Sequence, residues 1–145
     1  MHHHHRVARD VPGDGNCLFH AVAYTLRGHG VSHASLRADT VLWMEMHLDD
    51  LLHGLRLREW IVMLDEGAPH AYLAKMKRPG TWGGGLEIAV MAEVIGRPIC
   101  VFIDNAETRT CSRNIEFIPD RKEAQTQPVI SILYTGRSHY SALIS

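Results

Sequence analysis

The apolar residues of this chain change their spacing once, about two thirds of the way along, and that change limits the folds open to it. Leu18, Val22 and Leu26 recur every four residues with Phe19 and Ala23 beside them, the stripe of a helix facing a core, until Gly28 and Gly30 stop it. Ser32 or Ser35 is placed to cap a second helix running to about Leu52 through Leu36, Leu42 and Met46, with a third helix near Leu55 to Leu64. Pro69 to Lys77 reads as a short helix, and Leu86 to Ile95 as another that Gly96 ends. From Pro98 the pattern shortens. Pro98 to Ile103, Asn114 to Ile118, Val129 to Tyr134 and His139 to Ile144 read as strands, the last two flanking a hairpin loop at Thr135-Gly136-Arg137-Ser138. Helices followed by strands predict an α+β fold, with a small, mostly antiparallel sheet packed between helices.

Length and charge narrow the function. The 145 residues fit one domain, expected over 6–145, with residues 1–5 set aside as a tag remnant because of the His2–His5 run. At 46% hydrophobic and 21% charged residues, a chain of this size buries about 70% of its unfolded surface and needs no disulfide or structural metal. Fifteen Lys and Arg against sixteen Asp and Glu leave a net charge of -1, which gives no field to hold nucleic acid or an anionic membrane. The longest apolar runs, such as Ile61 to Leu64, fall far short of the roughly 20 residues of a membrane span. Three irregularly spaced cysteines, Cys17, Cys100 and Cys111, and no visible signal peptide fit a reducing, cytoplasmic setting. A monomer is expected.

Familiar ligand motifs are missing. The run Gly83-Gly84-Gly85 lacks the order of a phosphate loop or a dinucleotide fingerprint. Cys100 and Cys111 lack the close pairing of zinc ligands, and Gly30 interrupts the i, i+4 spacing of His29 and His33. No cofactor and no metal are expected.

The segment Gly13-Asp14-Gly15-Asn16-Cys17-Leu18-Phe19-His20 is different, because it sets a thiol where a tight loop becomes a helix. The first N–H groups of a helix have no intrahelical partner and the macrodipole is positive there, which predicts a lowered thiol pKa. The same amides, at Gly15, Asn16 and Cys17, are candidates to hold an oxyanion. Asp14 is expected to order the turn by side chain to backbone bonds. A cysteine nucleophile needs a base that takes its proton and later returns one to the leaving group. His139, at the mouth of a strand, is the framed candidate.

Taken together these residues resemble the ovarian tumour (OTU) class of cysteine deubiquitinases. Asp14-Gly15-Asn16-Cys17-Leu18-Phe19-His20-Ala21 looks like the family's nucleophile motif. Trp82-Gly83-Gly84 with Glu87 looks like its middle block, and His139-Tyr140 like its closing histidine motif. The compact length is similar to viral and bacterial-effector members, for which the site of action is a host cytosol. The resemblance implies a thiol isopeptidase that removes ubiquitin or a ubiquitin-like modifier from lysine side chains, with Cys17 as nucleophile and His139 as base and then acid. Trp82, Gly83 and Gly84 would wall a channel for the modifier's Gly-Gly tail, a role that suits glycine because backbone can approach backbone. Modifier preference is expected to lie with the helices between Ala38 and Met76.

One position departs from the pattern. Many members carry Asn or Asp two residues after the catalytic histidine, where this chain has Ser141. Either the hydroxyl orients the imidazole, or Asp10 or Asp14 substitutes, or the enzyme runs as a dyad; modest activity is expected in consequence. The competing readings are a polyprotein-processing protease of the same fold and a ubiquitin-binding module whose catalysis has decayed.

Overall fold

The computed structural model describes residues 7–9, 11, 14–65, 67–105, 110–135 and 139–144. The helices are α1 (Cys17–Thr25), α2 (His33–Met46), α3 (Leu57–Asp65), α4 (Pro69–Met76), α5 (Gly85–Ile95) and α6 (Lys122–Gln125). The strands are β1 (Val7–Arg9), β2 (Leu51–Leu52), β3 (Leu55–Arg56), β4 (Ile99–Asn105), β5 (Thr110–Phe117), β6 (Ile130–Thr135) and β7 (His139–Ile144). Five strands form one sheet in the order β1-β7-β6-β4-β5, and only the β4/β6 neighbours are parallel. The fold is therefore the α+β arrangement that the periodicity predicts.

Local chemistry sets the element ends. Ser32 caps α2, its Oγ accepting from the Ser35 N–H at 3.0 Å while the Ser35 Oγ accepts from the Ser32 N–H at 3.0 Å. Pro69 starts α4 at the first turn, where its missing N–H costs nothing. Gly96 ends α5 with φ 75°, a left-handed conformation that other residues adopt at a cost.

The second helix is shorter than expected. It stops at Met46, where the His47 ring stacks on Trp43 and Nδ1 lies 2.7 Å from the Trp43 carbonyl. Leu52, which extended the helical pattern in the sequence, is buried instead from the two-residue strand β2, and Leu48 is buried from the turn before it. The β2–β3 hairpin turns at His53-Gly54, both at positive φ (50° and 86°), the signature of a type I′ turn. Strands of two residues leave no period to read. β1 and α6 were likewise too short to be predicted, and β5 starts earlier than the Asn114 expected. Residues 136–138 of the last hairpin lie outside the described residues, as do residues 1–5 and Asp10.

Two hydrophobic clusters meet across α5. Its Ile88, Met91 and Ala92 join α1 and the sheet residues Ile99, Val101, Ile130, Ile132 and Tyr140. Its Leu86, Ala89 and Val90 join Val41, Met44, Ile61, Leu73 and Met76 of the helical layer. A helix apolar on every side is a buried one. α5 consequently fixes where the sheet, carrying β7, stands relative to α2 and α4. The start of α1 sits between them.

Candidate active site

The turn before α1 is held from both sides. Asp14 Oδ1 accepts the Asn16 N–H at 2.9 Å, and the Asp14 carbonyl accepts the Cys17 N–H at 3.1 Å. The Asn16 N–H holds the Asp14 carboxyl below the usual carboxylate range. Asn16 occupies the N-cap position yet does not cap α1 with its side chain. Its Oδ1 instead accepts from the Gly80 N–H at 2.7 Å and from Arg37 Nη2 at 2.8 Å. Gly15 is required here by close approach: a Cβ at that position would lie 1.6 Å from the Gly80 carbonyl oxygen. Two of the amides named for an oxyanion, those of Asn16 and Cys17, are thus closed onto Asp14.

Cys17 is completely buried, and its thiol departs from the sequence expectation. Burial pushes its pKa up, opposed by the N–H groups of Tyr140, Leu18 and Cys17, with the Asp14 carboxylate adding to the rise. The first-turn amides do face the sulfur, as the helix start predicts. Removal of the thiolate from water outweighs them. The packed site thus raises the thiol where the helix start alone would lower it.

The Tyr140 N–H acts on the sulfur, so Cys17 lies near the start of β7, one peptide from His139. α1 packs directly on β7 and β6. His139 pairs with Thr135, whose Oγ1 donates to the His139 carbonyl at 3.4 Å. Strand alternation puts His139 and Ser141 on one face of β7 and Tyr140 on the other, in the cluster with Cys17. Ser141 is buried opposite Leu133. The Tyr140 phenol is pushed up to about 12 by burial, aided by Tyr134, Cys17 and Glu87. His20, one turn beyond Cys17, packs against His33 with tilted ring centroids 3.8 Å apart, and burial lowers its pKa.

The third segment, 81–84, lies against the start of α1. A Cβ on Gly83 would meet Leu18 Cδ2 at 2.9 Å and the Phe19 ring at 3.3 Å, so its bare backbone is what allows the approach. Gly84, by contrast, faces open space. Trp82 is half exposed, and with Gly83, Gly84, Tyr72 and Glu87 it lines a cavity of about 350 Å³. Glu87 sits at the floor, 1% exposed, accepting from the Gly84 N–H at 2.8 Å and from the Tyr72 hydroxyl. Burial drives the Glu87 carboxyl upward and the Tyr72 phenol well above its ordinary value. A larger cavity of about 680 Å³ lies beside α2 and the C-terminal end of α5, and neither Cys17 nor His139 lines it.

Sequence reasoning missed Arg37 and Tyr72. Arg37 is buried on the same face of α2 as Thr40, Val41 and Met44. A lone cation on an apolar stripe at helical spacing was the available signal. Among the described residues, one group has metal-ligand chemistry: His53, Glu93 and Asp120. The Asp120 carboxylate accepts from the His53 N–H at 3.0 Å, and Glu93 from the Asp120 N–H at 2.6 Å. These bonds clasp the β2–β3 hairpin to the segment after β5, and no site is drawn from them.

Three comparisons bear on this arrangement. The family model described as OTU-like cysteine protease matches residues 12–140. Protein L96 of Tipula iridescent virus is 30% identical over 143 residues, which cover 92% of this chain and 15% of that protein. The OVARIAN TUMOR DOMAIN-containing deubiquitinating enzyme 4 of Arabidopsis thaliana is 27% identical over 141 residues, covering 92% and 42%. The chain thus spans less than half the length of these relatives. Among solved structures, the OTU domain of OTUD1 superposes with a TM-score of 0.75 at 24% identity, covering 97% of this chain and 86% of that one.

Proposed function

Because the chain belongs to the OTU-like cysteine protease family, we propose that it is a thiol isopeptidase that releases ubiquitin or a ubiquitin-like modifier from lysine side chains. The observation that carries this reading is the packing of α1, which begins at Cys17, directly on β7, which begins at His139. A relative named as a deubiquitinating enzyme supports the substrate class.

The proposed scheme uses Cys17 as nucleophile and His139 as base. His139 accepts the Sγ proton as the sulfur attacks the carbonyl of the modifier's C-terminal glycine. The amides of Gly15, Asn16 and Cys17 are the proposed donors to the oxyanion, worth about 3 kcal/mol per donor in related chemistry, those of Asn16 and Cys17 in exchange for their bonds to Asp14. The tetrahedral adduct collapses, the carbon–nitrogen bond breaks, and His139 returns its proton to the departing lysine amine. Water then attacks the thioester with His139 again as base, which frees the modifier's carboxylate and restores the thiol. Gly83 and Gly84 flank the approach of a tail that has no side chains, and Trp82 borders it. Ser141 shares a face with His139 and is the candidate orienter of the ring. Asp14 is committed to its own turn. No metal or cofactor enters this scheme.

We place the enzyme in a cytosol, acting as a monomer on ubiquitin conjugates, with neither nucleic acid nor a membrane as partner. No helix among the described residues is long and apolar enough to cross a membrane. The test is incubation with ubiquitin carrying a C-terminal electrophile. A covalent adduct of one ubiquitin, lost in Cys17→Ala, is the expected result. Binding without an adduct identifies an inert ubiquitin-binding module. A di-ubiquitin panel then reads linkage preference.

A further inference from the structure

Arg37 is nearly inaccessible to solvent, and no carboxylate of the described residues forms an ion pair with it. Backbone and amide oxygens surround it instead. Nη1 donates to the Met76 carbonyl at 3.0 Å, at the last residue of α4, where the helix dipole is negative. Nη2 donates to the Gly15 carbonyl at 3.2 Å, to Asn16 Oδ1 at 2.8 Å and to the Thr81 carbonyl at 2.8 Å. Two hydrogens serve three acceptors there, so one is shared. The guanidinium carbon also lies over the Phe19 ring, 4.3 Å from its centroid. The carboxylates of Glu87 and Asp14 favour the charge from further off, against the cost of burial.

One side chain on α2 therefore touches the nucleophile turn (Gly15, Asn16), the first helix (Phe19), the end of α4 (Met76) and the start of the glycine segment (Thr81). None of these is joined to another by a sheet ladder. We propose that Arg37 is a positioning residue for the reaction: its fork fixes the Asp14–Cys17 turn in register with the Thr81–Gly84 segment, so that thiol and tail channel meet. The proposal rests on the isopeptidase reading for its substrate, but the strut itself is independent of it. A lysine has one compact ammonium on a flexible stem and cannot span carbonyls on three segments in fixed directions. Without the fork the turn loosens. Substrate-aligned chemistry then weakens, while the buried thiol gains access to small reagents.

Those opposite signs make the test. Arg37→Lys, Arg37→Met and a control, Val41→Ala, are compared with the wild-type chain well below each melting temperature. Val41 is fully buried one turn further along α2 and packs among the helices rather than on the nucleophile turn. Two readouts are taken: kcat and KM for ubiquitin with a C-terminal fluorogenic amide, and the rate of Cys17 alkylation by iodoacetamide, read by mass. In Arg37→Lys, kcat is expected to fall at least about tenfold with KM within about threefold, and Cys17 alkylation to rise at least about threefold. Val41→Ala is expected to lose stability with neither change. A smaller fall in kcat, an alkylation rate that does not rise by that factor, or the same pair of changes in Val41→Ala overturns the inference. If Arg37→Met does not fold, Arg37→Lys decides. If the wild-type chain leaves ubiquitin untouched, the isopeptidase reading fails, and the alkylation ratio alone decides the role of Arg37.

Discussion

Two adjacent glycines separate packing from recognition. Gly83 and Gly84 both border the cavity at the start of α5, yet a methyl group added to each meets different surroundings. At Gly83 it lands 2.9 Å from Leu18 Cδ2 and 3.3 and 3.4 Å from atoms of the Phe19 ring. Leu18 and Phe19 are 1% and 0% exposed, so neither can swing aside. Relief has to come from a shift of α1 or of the segment itself, at the roughly 1–3 kcal/mol typical of overpacking. At Gly84 nothing lies within 4 Å, and φ of -141° with ψ of -154° is extended backbone open to alanine. Alanine is a poorer N-cap than glycine by about 0.5 kcal/mol. The stiffer unfolded chain offsets this by about 0.4–1 kcal/mol. Gly83→Ala is therefore expected to melt at least about 3 °C lower and Gly84→Ala within about 3 °C of wild type. Activity should run differently. In Gly84→Ala the methyl stands in the space assigned to the Gly-Gly tail, and a misfit of about 1.4 kcal/mol or more gives a loss of about tenfold in kcat/KM. Differential scanning fluorimetry and turnover of a fluorogenic ubiquitin amide measure the two effects on the same samples. Wild-type kcat/KM in Gly84→Ala would refute the channel, and an unshifted melt in Gly83→Ala would refute the tight contact with α1.

Other expectations concern titration and the missing orienter. Burial raises the Cys17 pKa above 9.0, so iodoacetamide labelling of the resting enzyme should keep climbing with pH through and beyond that value. A plateau reached below neutral pH would instead reveal a preformed thiolate. Glu87 is buried with its pKa raised above 4.5, so the folded state holds its proton more tightly than the unfolded chain. Its contribution to stability is present in full below pH 4.5 and is lost as pH rises through the folded value. Glu87→Gln, which does not titrate, should therefore gain melting temperature relative to wild type between pH 5 and pH 8; a constant difference would contradict the shift. Ser141→Ala should retain kcat/KM within about tenfold, because a hydroxyl orients imidazole less strongly than a carboxylate, whereas Cys17→Ala should abolish turnover. Loss of all turnover in Ser141→Ala without a change in melting would show that the serine is indispensable to the histidine.

Much of the fold can be read from local pattern, because its long elements carry their own period and punctuation. The Leu18–Val22–Leu26 stripe, the Ser32/Ser35 cap, Pro69 and Gly96 each act within a few residues of chain, and α1, α2, α4 and α5 begin or end accordingly. The Asp14–Cys17 motif is similarly local: the turn, the helix start and the thiol at its tip are all set by neighbours in sequence. What happens to that thiol is not. Its pKa rises rather than falls because it is buried in the cluster that α1 forms with the sheet and α5, and exclusion of water is a property of the packed molecule. The same holds for Arg37, an ordinary helix residue in the sequence whose four oxygen partners come from chain positions 21 to 44 residues away. Hydrogen bonds and periodicity within a few residues write themselves into the chain. Desolvation and the bridging of distant segments exist only once the layers have closed.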